Sequence, residues 1–164
     1  MTVIPDLPRA VGDRLGIAAI WWTPQDPAGH ADIDLYCSAG PGLGEASWRA
    51  PFTTRVRHFR DIRRARRLGT SPADPHVAWE CVQVERPDFS KISLWLDLYF
   101  SRTPVQGVIR FQWRGRSLDQ PFHFDRLPGD GGRDAARRRT SPFWQEVRLP
   151  AALLTNSPRQ EARP

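Results

Sequence analysis

Lysine is almost missing from this 164-residue chain: Lys91 stands alone, and the other 23 basic residues are arginine. There are only two cysteines, Cys37 and Cys81, and neither belongs to a CxxC or CxxH pair. That argues against a zinc site and against a disulfide framework. No run approaches the ~18 apolar residues of a membrane span. The 12 glycines and 16 prolines follow no period, which excludes collagen-like and coiled-coil chains. No Walker, HExxH, dinucleotide-binding or Gly-x-Ser-x-Gly pattern occurs, so the expectation is a protein without catalytic activity. The stretch Met1–Asp6 lacks the basic start and apolar core of a signal peptide. The expected location is the cytoplasm, with both thiols reduced.

What is present is aromatic and short-ranged. Seven tryptophans and eight phenylalanines supply enough apolar area for one domain-sized core. The run Leu15 to Trp22 ends at Pro24 and Pro27, as a buried strand would. In Asp32 to Cys37, Ile33, Leu35 and Cys37 alternate with Asp32, Asp34 and Tyr36. That period of two marks a half-buried strand. Glu45 to Ala50 is a further short candidate. Strands are expected again over 76–84, 91–100, 107–113, 118–124 and 143–149, separated by turns at Arg86-Pro87-Asp88, Thr103-Pro104 and Gly115-Arg116. Seven to eight short strands with frequent turns predict an all-β, single antiparallel β-sandwich. The expected organisation is an arm over 1–13, the sandwich over 14–150 and a flexible tail over 151–164.

One segment changes character. Val56, Phe59, Ile62 and Ala65 recur every third residue between arginines, which predicts one short Arg-rich helix within 54–68. Seven arginines between Arg55 and Arg67 are opposed only by Asp61, a local excess equal to the +6 of the whole chain. The charge is thus placed in one segment. On a helix Arg60, Arg63, Arg64 and Arg67 share a face. With Arg57 and the later run Arg137-Arg138-Arg139 they form the expected partner-binding set. Arginine forks suit carboxylates and phosphates. An acidic protein partner is the first expectation and nucleic acid the second, since only Phe52 and Phe59 lie near enough to stack on bases.

Asp32 and Asp34, two apart on a strand, point to one face at roughly 6.6 Å. With Asp26 in the preceding loop they are a candidate Ca²⁺ site, which the Gly-rich loop carrying Asp130 and Asp134 could approach. The alternative is a solvated strand edge. A strand ending Trp21-Trp22, a Pro/Gly loop and then Asp32-Ile33-Asp34-Leu35 resembles the bacterial tellurium-resistance type stress domain, with Tyr36 in place of that family's third acid. The sequence is also similar to other bacterial β-sandwich modules with Asp-Leu-Asp-Leu-Tyr strands. The match spans residues 15–36, and 77–100 more loosely. The resemblance implies a β-sandwich, a Ca²⁺-holding acidic loop and a role in stress or defence. His30, His58, His76 and His123 offer no nucleophilic constellation with either cysteine. Most tryptophans are expected in the core, with Trp22, Trp95 and Trp113 as possible ligand contacts. The sequence therefore predicts a binding or adaptor module.

Overall fold

The computed structural model describes residues 8–26, 31–59, 66–67, 76–125 and 141–153. Strand β1 (Arg14–Trp22) is followed by β2 (Ala31–Ser38), β3 (Phe52–Thr53), β4 (Val56–Phe59) and β5 (Arg66–Arg67). Then come β6 (His76–Glu85), β7 (Ser93–Ser101), β8 (Val105–Trp113), β9 (Arg116–Phe124) and β10 (Trp144–Glu146), and a 3-10 turn at Ala151–Leu153. The strands form two antiparallel sheets. The larger runs β3-β4-β6-β1-β8-β9, with β5 pairing β6 beside β4. The smaller is β10-β7-β2.

The all-β sandwich expected from the sequence is what the chain forms. The helix expected within 54–68 is replaced by turn and strand wherever that segment is described, at 54–59 and 66–67; its remaining residues lie outside the described ones. Val56–Phe59 pairs antiparallel with β6, from Val56 opposite Val84 to Phe59 opposite Cys81. Arg66 and Arg67 pair Val77 and His76. The reason lies in His58, which is buried at 3% exposure. With Val56 and His58 both turned inward, the segment has a period of two that disappears when His58 is counted as polar. The expected strand at Glu45–Ala50 is reduced to one bridge between Cys37 and Ala46.

The core lies between the sheets. Leu15, Ile17, Ala19 and Trp21 of β1, Val82 and Val84 of β6, and Ile109 and Phe111 of β8 face Ile33, Leu35 and Cys37 of β2 and Leu94, Leu96 and Leu98 of β7. The central strands β1 and β6 are apolar on both faces. Ala18, Ile20, Val77, Trp79 and Cys81 form a second cluster on the far side of the large sheet. This explains why both strands read as continuous apolar runs. Cys37 and Cys81 are buried on opposite sides of that sheet and are free.

Two details fix the sandwich. β2 is an edge strand, so its outward backbone N–H groups lack ladder partners. The Cys37 N–H donates to the Ala46 carbonyl, and the Leu35 N–H donates to Oε2 of Glu80 in the other sheet. Glu80 is buried at 1% exposure and sits 3.3 Å from Nε2 of His58. At the other edge, a Cβ on Gly107 would lie 2.3 Å from Phe122 and 2.5 Å from the Ile20 carbonyl. The ring of the opposite residue, Phe122, thus occupies the space a side chain at 107 would need. β9, the last strand of the large sheet, carries Pro121 at its middle. Among the described residues no helix is long and apolar enough to cross a membrane.

Candidate anion-binding cleft

At the β3 edge of the large sheet a cleft of about 220 Å³ is lined by Arg14, Phe52, Thr53, Arg55, Val56, Arg57, Gln83 and Glu85. Local chain geometry builds it. The β3–β4 hairpin closes through Thr53 opposite Val56, leaving Thr54-Arg55 as a two-residue loop. Arg55 takes a positive φ of 68° there. Its carbonyl accepts the Glu85 N–H, which ties the hairpin tip to the end of β6. Alternation along β4 buries Val56 and His58 and puts Arg57 outside. Gln83, buried on the cleft floor, donates its side-chain amide to the Arg9 carbonyl.

The lining is cationic with an aromatic border. Phe52 is 69% exposed. The Arg57 guanidinium lies 5.7 Å from the Phe52 ring centre and 4.6 Å from that of Phe59. Both rings attract the guanidinium and restrict where it can lie. Arg14 meets Glu85 at 3.3 Å, with both side chains about half exposed. Such exposed pairs are worth only about 0.2–1 kcal/mol, so an incoming carboxylate can displace the internal one. Three arginines against one glutamate leave the cleft net positive. The chemistry on offer is bidentate binding of a planar anion beside an apolar ring.

Of the expected partner-binding residues, Arg57 is in this cleft and Arg67 is in β5. Arg60, Arg63, Arg64, Arg137, Arg138 and Arg139 lie outside the described residues. Arg14 and Arg55 complete the cleft; Arg55 was counted in the arginine-rich segment but not in the expected partner-binding set, and Arg14 was not singled out by sequence. Arg14 sits far from the arginine-rich segment, and only the antiparallel pairing of β1 with β6 brings it across to Glu85. Comparison with family models, with curated proteins and with solved structures found no match.

The acids are placed as follows. Asp26 is exposed in the turn after β1, where its backbone N–H donates to the Thr23 carbonyl. Asp32 and Asp34 lie in β2, and Asp34 is 8% exposed. Asp34 stands directly opposite Asp97 of β7, itself 1% exposed. Among the described residues no group of three or more His, Cys, Asp or Glu has metal-holding geometry. Burial, with the neighbouring Glu45 charge adding, pushes the Cys37 thiol up to about 12, and burial with Glu80 beside it does the same to Cys81. Neither thiol is a nucleophile at neutral pH. Trp21, Trp79 and Trp144 are buried, while Trp22, Trp48, Trp95 and Trp113 are half-buried.

Proposed function

We propose that this chain is a non-catalytic binding module of the cytoplasm that docks an acidic protein partner. The observation that carries the reading is the cleft at the β3 edge, where Arg14, Arg55 and Arg57 converge beside exposed Phe52. The arginine-rich segment that runs on from Arg57 adds to the same charge in sequence. Protein carboxylates fit better than nucleic acid, because the lining offers three guanidinium groups and a single exposed ring, Phe52, short of the run of aromatics that stacks successive bases.

The test is co-purification from nuclease-treated lysate with wild type and the Arg14→Glu/Arg57→Glu double variant, with circular dichroism as the control for folding. Loss of a protein partner in the folded variant supports the reading. Retention of every partner, or recovery of nucleic acid alone before nuclease treatment, overturns it.

A further inference from the structure

Three residues other than glycine have a positive φ among the described residues, and all three are arginines: Arg55 at 68°, Arg86 at 44° and Arg114 at 47°. Left-handed backbone disfavours any side chain with a Cβ, and glycine or asparagine usually fills such positions. The hairpin between β8 and β9 shows this directly. Trp113 and Arg116 close a two-residue loop, Arg114-Gly115, with positive φ at both residues. That loop ordinarily favours Asn-Gly.

The three positions lie at one end of the large sheet. Arg55 is at the tip of the β3–β4 hairpin. Arg86 follows the last residue of β6, and its N–H donates to the Asp13 carbonyl just before β1. Arg14 begins β1, and Arg114 caps β8 beside it. In the strand order β4-β6-β1-β8, this end therefore presents Arg55, Arg86, Arg14 and Arg114 in succession. Strand spacing of about 4.8 Å makes the row about 15 Å long. All four residues are exposed.

Two carboxylates interrupt the row. Glu85 meets Arg14 at 3.3 Å and Asp13 meets Arg114 at 3.7 Å, all four side chains between 47% and 71% exposed. These pairs are weak and exchangeable.

We propose that this end of the large sheet is a linear docking strip for an extended acidic segment of the partner protein, running from the cleft across the strand ends to Arg114. An extended chain advances about 3.4 Å per residue, so about five residues span the row, and three carboxylates at alternate positions, about 7 Å apart, reach from one end of it to the other. Asp13 and Glu85 act as internal competitors that hold the arginines until such a segment arrives. Arg114 is held besides by its neighbour Trp113, whose ring centre lies 4.9 Å from the guanidinium. The proposal rests on the binding-module reading and extends it beyond the cleft.

The probe is a synthetic peptide of about ten residues alternating glutamate and serine, with the full-length protein, followed by fluorescence anisotropy at low salt. Binding should weaken as salt rises. Arg86→Gly and Arg114→Gly should each raise the melting temperature yet weaken binding about two- to five-fold, the scale of one exposed ion pair. Asp13→Asn and Glu85→Gln should tighten binding by a similar factor. A merely structural role for these carboxylates would not produce tighter binding. If Arg14→Glu abolishes binding while the Arg86, Arg114 and Asp13 variants leave it unchanged, the strip is refuted and the cleft stands. If wild type ignores the peptide, or binds single-stranded DNA more tightly through the same arginines, the strip and the acidic-partner reading fall together.

Discussion

Replacing Glu80 by alanine should be among the most damaging single changes in the core. Glu80 is 1% exposed and His58 3%. One carboxylate oxygen both receives the Leu35 N–H of the opposite sheet and lies 3.3 Å from His58 Nε2. Truncation strips the acceptor from a buried edge-strand amide, which costs about 1–3 kcal/mol. It also breaks a buried ionisable pair, for which removal of one partner costs about 3–5 kcal/mol. The two effects share one oxygen and overlap, so we expect about 4 kcal/mol in all. For a chain of this size that lowers the melting temperature by roughly 10 °C. Glu80→Gln keeps an acceptor of the same shape and should cost clearly less. Urea unfolding of Glu80→Ala, His58→Ala and the double variant forms a cycle. Side chains in contact should be non-additive by at least about 1 kcal/mol. A loss below about 1 kcal/mol for Glu80→Ala, or strict additivity, would refute the view that this pair ties the sheets together.

Other outcomes follow from the same packing. Gly107→Ala should destabilise by about 3 kcal/mol or more in urea titrations, because the added Cβ meets backbone at Ile20 and not only the Phe122 ring. Asp119→Ala removes two acceptors, at 2.8 and 2.9 Å, from the guanidinium of Arg110, which is 4% exposed; a loss of about 2–3 kcal/mol is expected by thermal melting. Both thiols should resist a thiol reagent at pH 8 until the chain unfolds. Above pH 9 an unfolded thiol gives up its proton while the buried one, at about 12, keeps it. The thiol contribution is therefore complete below pH 9 and declines as pH rises, by about 1.4 kcal/mol per pH unit for each thiol. An unchanged alkaline slope in Cys81→Ala would contradict this.

The strands were legible wherever inward positions were hydrocarbon. Leu94, Leu96 and Leu98 on one face of β7, and Ile33, Leu35 and Cys37 on β2, announce themselves by alternation. β4 was not legible, because its inward residue is a histidine whose partner lies 22 residues further along the chain. The available signal was Glu80 itself: a single acid inside the apolar run 77–84 demands a buried partner. The cleft was half legible. Arg57 stands in an obvious basic segment, whereas Arg14 reaches the cleft only through strand pairing. The strip was not legible at all, since positive φ at an arginine leaves no mark in composition or spacing.

Pro121 has a consequence for how this molecule meets its own copies. β8 and β9 are joined by a two-residue loop closed by Trp113 and Arg116, so hydrogen-bonded pairs recur at alternate positions from there, and Pro121 opposite Val108 falls between them. Its ring nitrogen thus faces away from β8, toward the side where no described strand pairs with β9. No ladder bond is lost, but the outward row of donors on a nine-residue edge is broken at its centre. An exposed edge of that length is otherwise a template for a strand from a neighbouring molecule. Pro121 therefore works against self-association at the β9 edge, where the Gln145 side chain also donates to the His123 carbonyl.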